Sequence, residues 1–357
     1  MRTLDELLRA AIEAEGSDVF IVPFAPVTVK SSGRMTAISE EKVTPAEIEG
    51  LITRAYELAG RERKNLERDG DDDFSFAIRD VSRFRCNIYR QRGTLAAVLR
   101  VVAFGLPDPA ERHIPDLVMD LAELRSGMVL VTGPAGSGKS TTLACLLDRI
   151  NRTRTGHIIT VEDPIEYLHS HKQCLVSQRE VPEDATSFAR ALRAALREAP
   201  DVVMVGEMRD IETISTAITA AETGHLILST LHTLGAAKTI DRVVDAFPAE
   251  QQNQVRTQLS MVLKAVVSQR LLQGEDGNPY PVFEVMTVTP AIQNLIREGK
   301  THQIDNAITG AGSGMLSMDS ELARLAREGK ITKETARAYA LHPETMERQM
   351  RFGVPAR

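Results

Sequence analysis

The segment that most constrains the fold of this chain is 133–141, which reads G-P-A-G-S-G-K-S-T. An apolar run at 128–131 comes directly before it, and a helix-compatible stretch at 142–150 follows. Glycines at these spacings let backbone N–H groups converge on phosphate oxygens without obstruction by Cβ atoms. A strand, a glycine-rich loop and a helix N-terminus in this order predict a phosphate-binding loop in an α/β domain.

The chemistry of such a loop predicts a role for two of its side chains. Lys139 is expected to reach the β- and γ-phosphates of a nucleotide, and the Ser140 hydroxyl is expected to bind Mg²⁺. The alternative is a glycine-rich turn that matches by chance, but strand, loop and helix all agree with the first interpretation. The residues expected to contact the nucleotide are Gly133, Pro134, Ala135, Gly136, Ser137, Gly138, Lys139, Ser140 and Thr141.

Length and composition favour a two-domain globular protein. The 357 residues exceed the usual length of one domain, and a hydrophobic content of 43% is ample for packed cores. No apolar stretch approaches the roughly 20 residues of a membrane span, and the N-terminus lacks the apolar core of a signal peptide. We therefore expect a cytoplasmic protein without membrane insertion. The net charge of −6 gives no general attraction for nucleic acid.

The cysteines are too scattered to suggest a disulfide framework or a metal site. Cys86, Cys145 and Cys174 form no C-x-x-C pair, so we expect reduced, structural thiols. No further cysteine or histidine stands at metal-ligand spacing, and the sequence predicts no zinc site.

The segment before the phosphate-binding loop predicts a small mixed domain. Helices are predicted over 3–15 and 45–58, and strands over 18–22, 27–31, 73–78, 83–90 and 95–102. Segment 106–115 holds three prolines among charged residues, which favours an extended connector. We therefore predict an N-terminal domain over 1–105, a linker over 106–115 and a second domain over 116–357.

The second domain alternates apolar runs with helical patterns. Candidate buried strands lie at 128–131, 157–161, 202–205 and 226–230. This alternation is typical of a parallel sheet covered on both faces, with ligands at the carboxyl ends of the strands. Beyond Pro248 the pattern predicts mainly helices, over 251–272, 290–298, 317–328 and 333–340.

Carboxylates follow two of the candidate strands. Glu207 comes just after the strand at 202–205, where it could hold Mg²⁺ or orient water near the γ-phosphate. Glu162 follows the strand at 157–161 and is the candidate general base, with Asp163 and Glu166 positioned to orient the metal or neighbouring groups. The alternative is that these acids only end strands or form turns.

Two histidines bracket the last candidate strand, and arginines cluster in the first domain. His232, at the carboxyl end, could sense or donate to the γ-phosphate, and the alternative is a structural histidine. For His225 the functional and structural interpretations have equal weight. Arg85 and Arg100 are the best pair for arginine fingers, which neutralise charge on the transferred phosphoryl group. The alternative is a solvated basic edge.

These elements together resemble the type II/IV secretion ATPase superfamily and, within it, the retraction ATPases of the type IV pilus (the PilT family). The matching motifs are the Walker A loop at 133–140, the acidic box H-I-I-T-V-E-D-P-I-E-Y at 157–167, the Walker B stretch at 201–210 and the histidine box at 223–232. A-I-Q-N-L-I-R-E at 291–298 is similar to the retraction signature AIRNLIRE, with Gln293 in place of arginine. The four-cysteine zinc element usual in assembly and secretion members is absent from this sequence.

The resemblance implies a PAS-like N-terminal domain, a RecA-like ATPase domain with a helical C-terminal region, and a homohexamer with ATP and Mg²⁺ between subunits. It implies an ATP-hydrolysing motor for pilus retraction and twitching motility, docked on an inner-membrane platform protein at the cytoplasmic face. An accessory paralogue, an extension or secretion ATPase, a nucleic-acid translocase and a nucleotide-sensing ring are the alternatives.

Overall fold

The computed structural model of the chain describes residues 2–31, 33–79, 81–102, 105–310 and 314–352. The chain divides into two compact units. One runs to Gly105 and includes Glu166–Leu168, and the other comprises Leu106–Ile165 and continues from His169. None of the helices within the described ranges has the length and apolar character that crossing a bilayer requires.

The first unit is an antiparallel sheet packed on helices. Its elements are α1 (Leu4–Glu13), β1 (Asp18–Ile21), β2 (Pro26–Ser31), β3 (Arg34–Lys42), α2 (Pro45–Ala59), α3 (Lys64–Asp69), β4 (Asp71–Ile78), β5 (Ser82–Gln91) and β6 (Thr94–Val102). Thr3 and Thr44 close capping boxes at the starts of α1 and α2. The sheet has six strands in the order β3-β2-β1-β6-β5-β4. The sequence missed α3 and β3; β3 is a charged, largely exposed edge strand, which gives no apolar signal.

The second unit contains a seven-stranded sheet in the order β13-β12-β7-β11-β10-β8-β9. Its strands are β7 (Gly127–Thr132), β8 (Gly156–Glu162), β9 (Cys174–Glu180), β10 (Val202–Val205), β11 (Leu226–Leu231), β12 (Leu263–Gln273) and β13 (Pro279–Thr287). Its helices are α4 (Asp116–Met119), α5 (Lys139–Thr153), α6 (Phe188–Ala195), α7 (Ile211–Glu222), α8 (Ala236–Asp245), α9 (Ala249–Val262), α10 (Pro290–Arg297), α11 (Ile304–Gly310), α12 (Met318–Arg327), α13 (Lys333–Tyr339) and α14 (Pro343–Phe352).

Helices cover both faces of this sheet, as its continuous apolar strands predict. Along β7, Met128 and Leu130 pack into one apolar cluster with α7, α8 and α9, while Val129 and Val131 pack into another with α5. All pairings from β12 to β9 are parallel, and only β13 runs antiparallel. The predicted α/β architecture around a parallel sheet is confirmed.

The predicted helix over 251–272 is wrong in its second half. Helix α9 ends at Val262 and β12 begins at once, pairing in parallel with β7 and antiparallel with β13. The run Ala265-Val266-Val267 is fully buried on both faces of the sheet. A strand of that kind lacks the polar alternation that distinguishes it from a buried helix in sequence. The consequence is that a strand, not a helix, lies beside the strand leading into the phosphate-binding loop.

The later helical predictions are confirmed as α10, α12 and α13. In α10, which carries most of the A-I-Q-N-L-I-R-E motif, Ile292 and Ile296 are fully buried and Leu295 is partly buried against the same cluster. The motif therefore has a packing role in this chain, whatever else it does.

Candidate nucleotide-binding site

The predicted phosphate-binding loop connects β7 to α5. Gly133, Gly136 and Gly138 have φ values of +146°, +76° and +89°, a region of backbone space that favours glycine. A Cβ atom on Gly133 would lie 2.2 Å from the carbonyl oxygen of Gln269, so no larger residue fits there. Helix α5 begins at Lys139, and its first N–H groups therefore face the loop.

Lys139 is folded back over the loop rather than extended into solvent. It is 9% exposed, and its Nζ donates to the carbonyl oxygens of Gly133 at 3.0 Å and Pro134 at 2.9 Å. These contacts hold the ammonium at the mouth of the loop, beside the α5 N-terminus. Both features favour an anion at this position, and a phosphate oxygen is a stronger acceptor for Nζ than a neutral carbonyl.

Two hydroxyl groups of the loop region are buried without a hydrogen-bond partner among the described residues. They are Oγ of Ser137 and Oγ1 of Thr132. Buried polar atoms in native proteins are almost always paired, so unpaired ones at one place mark a site prepared for a polar ligand. Ser140 and Thr141 are half-buried at the start of α5.

The carboxyl ends of the neighbouring strands lie at the same edge of the sheet as the loop, because β8, β10, β11 and β7 are adjacent and parallel. Glu162 ends β8 and is 8% exposed. Its Oε1 accepts hydrogen bonds from Thr160 Oγ1 at 2.6 Å and Gln178 Nε2 at 3.2 Å. The carboxylate is thus fixed in position, whereas Asp163 beside it is exposed.

Glu207 and His232 lie together at the ends of β10 and β11. Glu207 Oε2 is 3.6 Å from His232 Nε2 and 2.8 Å from Arg209 Nη2. Thr230 Oγ1 donates to the Gly206 carbonyl at 2.5 Å, which ties the two strand ends to each other. The structure therefore places Glu162, Glu207 and His232 along the edge that carries the loop.

The oxygen donors at this edge suit Mg²⁺. No cluster of three or more histidine, cysteine or acidic side chains that could hold a metal by itself exists in the described ranges. Mg²⁺ is usually bound by one or two carboxylates together with substrate phosphates and water. A hydroxyl, Ser140, and the carboxylates of Glu207 and Asp163 are hard oxygen ligands of that kind, so this edge fits an ion that arrives with the nucleotide.

The two candidate arginine fingers belong to the first unit. Arg85 on β5 and Arg100 on β6 are direct cross-strand partners, so their side chains share one face of the antiparallel sheet. Arg100 Nε donates to Asp18 Oδ1 at 2.9 Å, and the Arg100 side chain remains 68% exposed. They thus form a local basic pair opposite the apolar face of Phe84 and Leu99.

His225 lies at the other edge of the sheet. It precedes β11, and its Nδ1 is 3.0 Å from the Ala220 carbonyl at the end of α7. This arrangement supports its structural interpretation.

Sequence analysis missed Gln269, the residue of β12 that touches the loop. Gln269 is 1% exposed, its Nε2 donates to the Ser137 carbonyl at 2.6 Å, and its Oε1 accepts from Thr142 Oγ1 at 2.9 Å. No local signal identifies it, because its proximity to the loop results from the pairing of β12 with β7.

A cavity of about 330 Å³ adjoins the loop on the side of α5. It is lined by Gly138, Thr141 and Thr142 and by His113 and Tyr280, whose rings are stacked with centroids 6.0 Å apart. The volume falls within the range of small-molecule sites. Sequence analysis also missed His113 and Tyr280, because no local pattern links two positions so far apart in the sequence.

The chain is similar to known proteins over most of its length. The family model described as type II/IV secretion system protein matches residues 1–277. The type IV pilus retraction ATPase PilT of Pseudomonas aeruginosa is 44% identical over 343 residues, which cover 96% of this chain and 99% of that protein. The type IV pilus ATPase PilU of the same organism is 36% identical, with 98% and 91% covered.

Solved structures give the same result. A crystal structure of the pilus retraction motor PilT with bound ADP superposes with a TM-score of 0.90 at 44% identity. The superposition covers 98% of this chain and 100% of that one. The likeness thus extends over both units of the chain.

Proposed function

Because the chain belongs to the family of type II/IV secretion system proteins, we propose that it is the ATP-hydrolysing motor that powers retraction of type IV pili. The observation that carries this proposal is the near full-length identity of 44% to a retraction ATPase, together with a phosphate-binding loop whose lysine is held at its mouth. The relative solved with ADP supports adenine nucleotide as the ligand.

The proposed chemistry assigns a role to each part of the sheet edge. Backbone amides of the loop hold the phosphates, and Lys139 neutralises them. Ser140, with Glu207 and Asp163, would hold Mg²⁺, which supplies charge neutralisation at the β- and γ-phosphates. Glu162 accepts a proton from the attacking water and orients it, because its carboxylate is held by Thr160 and Gln178 at the end of β8. Glu207 is the alternative base, and His232 beside it senses the γ-phosphate.

The cavity beside α5 is proposed to receive the nucleoside. The stacked pair of His113 and Tyr280 offers aromatic surface for a flat base, and the cavity opens next to Gly138 of the loop. A nucleotide with its phosphates on the loop would then extend towards these rings.

The assembly is proposed to be a homohexamer. The first unit, over 1–105, would be a PAS-like domain, and 106–115 would link it to the RecA-like ATPase domain over 116–357. Arg85 and Arg100 would reach the nucleotide of an adjoining subunit as arginine fingers, so that hydrolysis is coupled to movement of that domain. The ring would dock on an inner-membrane platform protein at the cytoplasmic face of that membrane.

Replacement of Lys139 by alanine tests the enzymatic part of this proposal. We expect turnover to fall by about 10²- to 10³-fold, the usual effect of removing a charge that stabilises the transition state. The matched control is Lys333→Ala, an exposed lysine at the start of α13. Phosphate release by the purified proteins measures the difference, and equal rates for the two variants would refute the assignment of the loop.

Deletion of the gene tests the biological part. Loss of a retraction motor should leave cells with excess pili and no surface motility, whereas bald cells would mean extension. The 36% identity to PilU supports an accessory role as the second candidate. Complementation of the deletion strain with the Glu162→Gln variant separates the two candidates. If the chain is the motor, the variant leaves the pili unretracted. If it is an accessory protein whose hydrolysis is dispensable, the variant restores retraction.

A further inference from the structure

Gln269 lies outside the loop in sequence and makes two side-chain hydrogen bonds, one to the loop and one to the helix that follows it. Strand β12 lies next to β7 in the sheet, and Ser268 pairs with Thr132 at the end of β7, so Gln269 lies beside the start of the loop. The Gln269 carboxamide is buried between the loop and the first turn of α5. Its donor end binds the Ser137 carbonyl and its acceptor end binds the Thr142 hydroxyl.

These two partners lie on either side of the segment that would contact phosphate. Ser137 is the last residue before Gly138, which caps α5, and Thr142 lies one turn into the helix. The planar Gln269 carboxamide is hydrogen-bonded to both partners and so fixes the distance between the loop and α5. The backbone amides of Gly138, Lys139 and Ser140 lie between these two points of attachment.

The same residue also restricts two of the three glycines of the loop. The Gln269 carbonyl oxygen would be 2.2 Å from a Cβ on Gly133, and its Nε2 would be 3.1 Å from a Cβ on Gly138. Both glycines therefore permit the approach of β12 as well as the approach of phosphate. Gln269 thus contacts the loop at its first residue, near its end and in the following helix.

We infer that Gln269 is a positioning residue that holds the loop in its phosphate-binding conformation. The inference rests on the proposed function, since it assumes that the loop binds nucleotide. A loop that is already ordered loses less conformational entropy on binding, so the brace raises the affinity for ADP and ATP. Glutamine suits this task because its carboxamide is both a donor and an acceptor.

The test is the Gln269→Leu variant of the full-length protein, which keeps the approximate volume and removes both hydrogen bonds. We expect the dissociation constant for fluorescently labelled ADP to rise by about 10-fold, and the KM for ATP to rise with it. The kcat should change much less, because the groups that act in the transition state are retained. Gln273→Leu, on an exposed residue of the same strand, is the matched control and should match the parent.

A second pair of variants keeps the inference testable if Gln269→Leu does not fold. Thr142→Val removes the hydroxyl that donates to Gln269 Oε1 and keeps the shape of the side chain, whereas Thr142→Ser keeps the hydroxyl. We expect weaker ADP binding for valine and near-parent binding for serine. Equal ADP affinities for Thr142→Val, Thr142→Ser and the parent would overturn the inference.

Failure of this inference is distinguishable from failure of the proposed function. If the parent protein neither binds ADP nor hydrolyses ATP, the proposed function fails. If the parent does both and Gln269→Leu binds ADP as tightly as Gln273→Leu, only the positioning role is lost. A rise of KM in Gln269→Leu with kcat retained supports both.

Discussion

The seven-stranded sheet carries the same types of residue at the amino and carboxyl ends of its parallel strands, but their hydrogen bonding differs between the two edges. At the amino edge the His157 ring bridges the Glu198 carbonyl and Ser177 Oγ, both at 2.9 Å, and Asp201 Oδ2 accepts from the His157 backbone N–H at 2.8 Å. These polar groups are satisfied locally, so they stabilise strand ends. At the carboxyl edge, hydroxyls of the loop region are buried without partners among the described residues.

Glycines show the same contrast. Gly156 at the amino edge has no room for a side chain, because a Cβ would lie 2.6 Å from Asp201 Oδ2. Gly136 in the loop has a φ of +76°, and no described atom lies within 4 Å of where its Cβ would be. Gly156 is therefore required for close packing, whereas Gly136 is required for a backbone conformation with positive φ at an open position. Residue type alone therefore does not identify a functional site.

The largest expected effect that sharpens this comparison is that of Glu162→Gln, at the carboxyl end of β8. The variant should bind ATP but hydrolyse it about 10²- to 10⁴-fold more slowly, because glutamine cannot accept the proton of the attacking water. Single-turnover hydrolysis alongside nucleotide binding measures both properties. Turnover equal to that of the parent would assign the base to Glu207 instead.

A smaller effect, on stability rather than on turnover, is expected for Glu284→Gln. This variant tests whether a buried carboxyl group near the carboxyl edge must be catalytic. Glu284 on β13 accepts from the Ala236 N–H at 2.9 Å and so anchors the start of α8. Burial raises its pKa to about 7, and repulsion by Asp305 and Asp319 adds to the shift, although hydrogen bonds from backbone N–H groups oppose it.

A carboxyl group with a raised pKa in the folded state stabilises the fold below its usual pKa of 4.5 and loses that contribution as the pH rises through about 7. The free energy of unfolding of the parent should therefore decrease over this window, by about 2 kcal/mol relative to Glu284→Gln. Urea unfolding between pH 5 and 8 measures the difference. If the free energy of unfolding of the two proteins had the same pH dependence, the raised pKa of Glu284 would be contradicted. The turnover of Glu284→Gln should remain close to that of the parent.

The smallest expected effect is that of Asp201→Ala at the amino edge, just before β10. Loss of the hydrogen bond to the His157 N–H should cost about 1 kcal/mol of unfolding free energy and leave the KM and kcat for ATP unchanged. Asp201→Asn, which keeps an acceptor oxygen, is the matched control. A fall in turnover comparable to that of Glu162→Gln would break the distinction between the two edges.

Much of this site could be predicted because its signals are local. The loop, Lys139 and the acids at the ends of β8 and β10 are each recognised within a few residues, and a parallel sheet brings strand ends to one edge. The roles assigned to these side chains stay predictions. The predicted helix over 251–272 was wrong in its second half, because a strand buried on both faces has the composition of a buried helix.

By itself the sequence determined the position of the phosphate-binding loop, the candidate residues at the strand ends and the alternation of strands and helices around the parallel sheet, since backbone propensity and hydrophobic pattern act over short distances. Only the tertiary structure decided that β12 lies beside β7, and thus that Gln269 braces the loop and that His113 stacks on Tyr280. The physical reason is that strand pairing joins segments far apart in the chain, and no local pattern records which strand becomes the neighbour.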